Sequence, residues 1–173
     1  MQDFSGPVLF LDRSDINTDE IIPAKYLTEL TKEALKVHCL EDLKTEGFTP
    51  DRDLPGKRVI VSRANFGCGS SREHAVWALE VNGITAVVAE SFARIFRQNM
   101  FNCGLLAVAL SKADMDQVFR MRSDSASMDI DFNGRTLSVN NGHETKRFSF
   151  TLSDFDASLV EAGGWVEFAD RKY

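Results

Sequence analysis

Short apolar runs alternate with helix-like segments through the middle of the chain. Three runs have the length and composition of buried strands: 58–62, 84–89 and 105–110. Residues 71–82 and 91–103 lie between them, carry apolar residues at helical spacing, and stop at Gly83 and Gly104. Strands that alternate with helices in this way predict βαβ units with parallel pairing and right-handed crossovers.

The first third of the chain has a less regular pattern. The apolar run 8–11 predicts a first strand, and a dense polar run follows it. A short helical turn is expected through Tyr26, and 31–43 predicts a helix. Residues 44–57 are polar and contain two prolines and two glycines, which predicts a loop.

The last third changes character. Residues 128–132 alternate apolar and polar positions, and Asn133-Gly134 and Asn141-Gly142 predict two-residue hairpin turns. An antiparallel meander is therefore expected, followed by a helix over 153–162. Together the patterns predict an α/β fold with a mixed sheet, built as a single domain of residues 1–173.

Composition narrows the function classes. A net charge of −6 and a pI of about 5.1 argue against nucleic acid as the main partner, because phosphate binding needs a basic face. No basic leader precedes an apolar core, and no run is long enough for a membrane span, so we expect a cytoplasmic protein with no membrane contact. The three cysteines, 39, 68 and 103, lack disulfide or cluster spacing, so no metal site is expected in this chain.

Residues 66–74 (Phe-Gly-Cys-Gly-Ser-Ser-Arg-Glu-His) lie where a predicted strand meets a predicted helix. A helix N-terminus has unpaired N–H groups and the positive end of the helix dipole, so it suits anions. Ser70, Ser71 and Arg72 are placed to bind a carboxylate or to share its charge. We interpret this corner as the reactive site.

Simpler interpretations exist for parts of the corner. Ser70 and Glu73 fit a capping box, although that would leave Ser71 and Arg72 without a purpose. A dinucleotide loop would need a third glycine where Arg72 stands, and a nucleophile elbow would need a G-x-S-x-G frame. His74 is better explained by a structural role than as a base, and Cys68 by a tight turn than as a reactive thiol.

A second polar cluster occupies residues 15–23 (Asp-Ile-Asn-Thr-Asp-Glu-Ile-Ile-Pro). The simple interpretation is an Asx-rich turn before a proline. Its crowding between two apolar runs instead favours a functional segment, in which Asp19 orients a buried partner.

These motifs resemble the small subunits of 3-isopropylmalate dehydratases, in the aconitase superfamily. The matching segments cover nearly the whole chain: 15–23, 65–75, 89–96, 102–106 and 159–164. The resemblance implies a swivelling β/β/α domain that closes over a separate large subunit. In this family a [4Fe–4S] cluster in the large subunit binds a small dicarboxylate substrate, which is dehydrated and then rehydrated on the neighbouring carbon.

The resemblance also implies roles for single residues. Ser70 matches the serine that removes a proton alpha to a carboxylate, and it needs an environment that stabilises its anion. Ser71 and Arg72 match the binders of a substrate carboxylate, and Asp19 matches an active-site acid. We expect catalytic roles for Ser70 and Asp19 and substrate binding by Ser71 and Arg72.

Substrate choice in the family depends on the loop at Lys25, Tyr26, Leu27 and Thr28. Relatives that act on a third carboxylate tend to carry an arginine there, and this chain does not. The loop therefore favours isopropylmalate, in leucine biosynthesis. A homoaconitase-like or dimethylmalate-type dehydratase stays open, since Lys25 or Lys32 could replace the arginine. A stand-alone dicarboxylate-binding module is the alternative from another class.

Overall fold

A seven-stranded mixed sheet organises the part of the chain that the computed structural model describes, residues 2–173. The strands are β1 (Gly6–Phe10), β2 (Val59–Val61), β3 (Ala86–Ala89), β4 (Leu106–Ala109), β5 (Ser127–Asp131), β6 (Thr136–Asn140) and β7 (Thr145–Ser149). Their order across the sheet is β4-β3-β2-β1-β5-β6-β7. The first four strands are parallel and the last three are joined as an antiparallel meander. The sequence predicts the parallel pairing of β2, β3 and β4 and the meander, but not the orientation of β1.

The helices are short. They are α1 (Thr18–Ile21), α2 (Lys32–Leu35), α3 (Pro50–Asp53), α4 (Glu73–Val81), α5 (Arg94–Asn102), α6 (Lys112–Arg120), α7 (Asp154–Ala162) and α8 (Trp165–Lys172). Two 3-10 turns, Ala24–Tyr26 and Lys36–His38, add to the segment between α1 and α3. None of the helices found in residues 2–173 has the length and apolar character needed to cross a bilayer.

Burial differs between the two kinds of strand. Every residue of β2 and β3 is buried, which is the pattern of a parallel strand covered on both faces. In β5 exposed and buried residues alternate, as expected for a sheet with one face in water. The strand β1 joins the halves, because it pairs in parallel with β2 and antiparallel with β5.

The hairpins form where predicted, but the prediction of two-residue turns is wrong. The connections span 132–135 and 141–144. In the first, Asp131 Oδ1 accepts a hydrogen bond from Gly134 N at 2.9 Å. In the second, Asn141 Oδ1 accepts from His143 N and Glu144 N. Side-chain acceptors therefore organise these longer turns.

The single helix predicted over 31–43 is also wrong. The helix α2 ends at Leu35, and a 3-10 turn follows. Leu40 then adopts a φ of 61° and donates its N–H to the Ile21 carbonyl at 2.8 Å. A left-handed residue cannot continue a right-handed helix, so tertiary contacts decide this segment.

Other element boundaries move less. The helices predicted to begin at residues 71 and 91 begin at Glu73 and Arg94. The helix α3 lies within the predicted loop 44–57, and α8 was not predicted from the sequence. The later start of α4 matters most, because it leaves both serines of the corner outside the helix.

Candidate active site

The loops that follow β1 and β2 meet at one edge of the sheet. These strands are parallel neighbours, so their carboxyl ends lie side by side. Gly67 donates its N–H to the Ile16 carbonyl at 2.8 Å, and Asn17 forms an isolated parallel bridge with Cys68. The two polar clusters of the sequence are therefore one structural unit.

Gly67 lets the corner lie close against α5. Its φ is 81°, a conformation that favours glycine. A Cβ at this position would lie 2.2 Å from Phe96 Cγ, which is shorter than a van der Waals contact. Phe96 also packs edge-on against Phe66, with 5.6 Å between the ring centroids. The aromatic packing thus fixes the path of the chain into the serine motif.

The capping box that Ser70 and Glu73 could form, the simpler interpretation of this motif, is absent. The N-cap of α4 is Arg72, which makes no side-chain capping hydrogen bond. Glu73 instead contacts the thiol of Cys103, with 3.4 Å between Oε1 and Sγ. Ser70 and Ser71 are exposed ahead of the first turn, so neither hydroxyl serves as a cap.

A capping box does form in the other cluster, at residues 17–20. Asn17 Oδ1 accepts from Glu20 N at 2.9 Å, and Glu20 Oε1 accepts from Asn17 N at 3.2 Å. Arg13 forms an ion pair with the same Glu20 carboxylate. The short helix α1 is fixed at its first turn, and this turn carries Asp19.

Asp19 and Arg72 form an ion pair across the two loops, with 2.6 Å between Oδ1 and Nη1. This contact is an ion pair but not a well-aligned hydrogen bond. Arg72 Nη1 is buried and has no hydrogen-bond partner among the described residues. The Arg72 side chain is 13% exposed and that of Asp19 is 61% exposed. A buried guanidinium is thus paired with an accessible carboxylate.

The loop at Lys25–Thr28 is anchored from one side. Tyr26 stacks on His38 with 3.7 Å between ring centroids, and Tyr26 Oη donates to Glu41 Oε1 at 2.8 Å. His38 Nδ1 lies 2.9 Å from Glu41 Oε2. Burial disfavours the Glu41 carboxylate, but the hydrogen bonds from His38 and Tyr26 outweigh it and lower its pKa. The bond to Glu41 is also the main cause that raises the pKa of Tyr26.

The other end of this loop touches the corner itself. His74 Nε2 lies 3.3 Å from the Glu29 carbonyl, and the His74 ring packs against Trp77 at 4.7 Å. This contact agrees with the structural role expected for His74. It also places the loop beside the first turn of α4.

Cys68 has the environment of a structural residue. Its carbonyl accepts the Thr18 N–H at 2.9 Å. Burial and the nearby Asp15 carboxylate raise the pKa of its thiol, which lowers the thiolate fraction at neutral pH. Within residues 2–173 no three His, Cys, Asp or Glu side chains are placed to hold a metal ion. The donor set of this chain therefore does not fit a [4Fe–4S] cluster.

Sequence reasoning missed three residues around the site: Thr18, His38 and Glu41. Thr18 was part of the quoted motif, but its contacts join positions 52 apart and no local pattern reveals them. His38 and Glu41 have i, i+3 spacing, which is the signal that could have paired them.

Comparison with known proteins identifies the family of the chain. The Aconitase C-terminal domain family matches residues 4–113. The 3-isopropylmalate dehydratase small subunit 2 of Deinococcus radiodurans is 40% identical over 157 residues, which cover 90% of this chain and 71% of that protein. The 3-isopropylmalate dehydratase small subunit of Deinococcus deserti is 39% identical over 161 residues, or 90% and 81% of the two chains.

A solved structure is similar over nearly the full length. The 3-isopropylmalate dehydratase structure from Methanocaldococcus jannaschii superposes with a TM-score of 0.79 and 32% identity, covering 99% of this chain and 95% of that one. The predicted fold class and the predicted resemblance are both confirmed. The chain belongs to the aconitase C-terminal domain family and, within it, to the 3-isopropylmalate dehydratase small subunits.

Proposed function

We propose that this chain is the small subunit of a two-subunit hydro-lyase in the cytoplasm that interconverts 2-isopropylmalate and 3-isopropylmalate. The observation that carries the proposal is the Asp19–Arg72 pair beside Ser70 and Ser71, brought together from two distant segments. The names of its relatives supply the substrate, and the family resemblance implies a place in leucine biosynthesis. Residues 1–173 would act as a single domain in this role.

Arg72 and Ser71 would bind a carboxylate of the substrate. A guanidinium grips a carboxylate with two parallel N–H donors, and it does so best where water is scarce. The low exposure of Arg72 supports this, and its misaligned contact with Asp19 leaves donors for a ligand. The exposed Asp19 would then reorient beside the bound substrate.

Ser70 would act as the base that removes the proton alpha to the carboxylate. A serine hydroxyl is a poor base in water, so its alkoxide needs nearby donors and a site without solvent. The N-terminus of α4, which begins three residues after Ser70, and Arg72, two residues after it, would provide positive charge for this anion. Ser70 is exposed in the isolated chain, so we expect closure against the large subunit to complete the site.

The large subunit would carry the [4Fe–4S] cluster, because the cysteines of this chain are not grouped to bind one. When bound there, the cluster would supply Lewis-acid assistance for loss of the substrate hydroxyl. This chain would contribute the base, the carboxylate clamp and the specificity loop. Neither subunit should then isomerise the substrate alone.

The loop Lys25–Thr28 would face the group that distinguishes one substrate from another. Lys32 is already paired with Glu80 at 2.8 Å, so it is a poor substitute for the arginine of homoaconitase-like relatives. Lys25 lies 5.3 Å above the Tyr26 ring and remains the basic residue of the loop. Leu27 offers an apolar side chain, which favours isopropylmalate over a third carboxylate.

Reconstitution tests the proposal. The purified chain is combined with a cluster-loaded large subunit, and turnover is measured for 2-isopropylmalate, a homocitrate-series acid and dimethylmalate. We expect activity only in the complex, with the highest kcat/KM for isopropylmalate. A preference for the homocitrate-series acid or dimethylmalate would show that the proposed substrate is wrong. If the chain alone binds dicarboxylates tightly and the complex shows no turnover, the stand-alone binding module is favoured.

A further inference from the structure

Thr18 is a buried polar residue at the junction of the two site loops. It is 1% exposed, and the other buried polar residues within residues 2–173 are Ser62 and Thr85. Its backbone N–H donates to the Cys68 carbonyl at 2.9 Å, and its Oγ1 donates to the Ser70 carbonyl at 2.9 Å. One residue thus supplies two donors to the segment that contains the serines.

The second of these hydrogen bonds acts on the peptide group of Ser70. That peptide lies between the left-handed Gly69, with a φ of 94°, and the N-cap Arg72. Its side chain is exposed and extends from a segment that precedes the helix, so neither burial nor helical hydrogen bonding fixes its direction. The Thr18 hydroxyl is the buried contact that orients the Ser70 carbonyl and, through the backbone, the Cα–Cβ bond.

We propose that Thr18 is a positioning residue for Ser70: its hydroxyl fixes the peptide from which the catalytic side chain projects. The inference rests on the proposed function, since it gives Ser70 a reaction to perform. Small displacements of a reacting group from its productive geometry lower turnover strongly while affecting substrate affinity little. A threonine is suited to this task because its β-branched side chain has few rotamers and its methyl group is buried beside the hydroxyl.

The chain offers a matched control. Thr85 is also buried, at 5% exposure, and its Oγ1 donates to the Phe4 carbonyl at 2.9 Å. It is the residue before β3, at the end of the strand opposite to the edge where the serine corner lies. Thr18→Val and Thr85→Val each remove one buried hydroxyl donor, keep the side-chain shape and retain the backbone N–H.

The experiment measures kcat, KM and the melting temperature for both variants and for Thr18→Ser, each in the reconstituted two-subunit complex. We expect Thr18→Val to lower kcat by about tenfold to a hundredfold with KM changed by less than about threefold. Thr85→Val should lower the melting temperature about as much as Thr18→Val does, because each variant removes one buried hydrogen bond, but it should leave kcat unchanged. Thr18→Ser should restore most of the turnover, because it restores the donor. If Thr18→Val does not fold, Thr18→Ala and Thr18→Ser give the same comparison.

Equal kcat for the Thr18→Val and Thr85→Val complexes would overturn the inference. A failure of Thr18→Ser to recover activity would also overturn it, since the methyl group would then matter and the hydroxyl would not. The unmodified complex separates this result from the proposed function. An unmodified complex inactive on isopropylmalate contradicts the proposed function, whereas an active complex indifferent to Thr18→Val contradicts only the role of Thr18.

Discussion

The parallel and antiparallel halves of the sheet differ in what their strand ends can build. In the parallel half, β1 and β2 run side by side and both end at the same edge, so their following loops meet and bring Asp19 to Arg72. In the antiparallel half, β5 and β6 each end at a turn that leads directly into the next strand. The side chains of Asp131 and Asn141 are hydrogen-bonded within these turns. The difference shows why loops from separated segments converge on one half.

The sharpest way to test this comparison is to remove one hydroxyl from each half. Ser70→Ala in the reconstituted complex should lower kcat by about a thousandfold or more, since it removes the base, with little change in substrate affinity. Ser149→Ala, on an exposed position of β7, should leave both constants unchanged. Steady-state kinetics measures the effect, and near-normal turnover by the Ser70→Ala complex would show that the base lies elsewhere.

Glycines in the two halves give the next largest difference. Gly67→Ala places a Cβ at a φ of 81° and 2.2 Å from Phe96 Cγ, so both backbone strain and overpacking oppose it. We expect a loss of about 3 kcal/mol in the free energy of unfolding. Gly142→Ala has a similar φ of 92°, but its nearest neighbour is Ser125 Oγ at 3.6 Å. It should cost about 1 kcal/mol.

Denaturant unfolding of the isolated chain measures both glycine variants. Equal losses would mean that strain alone decides the cost and that α5 can move away from the corner. A larger loss for Gly67→Ala would confirm that the aromatic packing under the serine motif is tight.

An arginine exchange tests the carboxylate clamp. Arg72→Lys keeps the charge but loses the planar fork, so KM for isopropylmalate should rise by about tenfold with a smaller change in kcat. Arg147→Lys on β7, where Nη2 reaches Thr136 Oγ1 at 3.3 Å, should change neither constant. If Arg72→Lys lowers kcat and leaves KM unchanged, Arg72 stabilises the transition state and does not contribute to substrate binding.

The smallest expected effect concerns the anchor of the specificity loop. The pKa of Glu41 is lowered in the folded protein, so its contribution to stability is present above the ordinary glutamate range and disappears as pH falls through the lowered value. The titratable groups that face it are His38, Tyr26 and, beyond the ring, Lys25. Glu41→Gln should lower the melting temperature by about 1–3 °C at neutral pH, and the gap should close in acid.

The matched variant for this test is Glu144→Gln, in the exposed turn between β6 and β7. Melting curves recorded from about pH 7 down to about pH 3 compare the two. A gap that persists unchanged in acid would show that the Glu41 charge does not stabilise the loop.

The strands of both halves of the sheet could be predicted from the sequence, whereas the turns of the meander and one helix could not. The parallel strands were predictable because buried apolar runs alternate with helical segments, and the meander because alternating positions flank the Asn-Gly pairs. The turns were mispredicted, since Asp131 and Asn141 organise longer connections than an Asn-Gly pair suggests. The helix over 31–43 failed for a tertiary reason, the contact of Leu40 with Ile21.

The candidate site residues came from two motifs, and their roles stay a prediction. What the sequence did not reveal is that the motifs of Ser70, Ser71 and Arg72 and of Asp19 are in contact, which the structure shows. Ser70 and Glu73 fit the capping-box pattern in the sequence, but the box forms at Asn17 and Glu20, which have the same spacing. Local sequence cannot decide which of two matching segments forms a cap when the start of the helix depends on packing.

The unequal exposure of Arg72 and Asp19 has a consequence for the electrostatic balance of the corner. A largely buried guanidinium without a counter-ion is costly, so Arg72 alone at this place would destabilise the fold. Asp19 neutralises it from the solvent side, where a water-exposed carboxylate is easily displaced. Under the proposed function, a substrate carboxylate would take the place of Asp19 at Arg72, so the guanidinium would have a counter-ion both before and after binding.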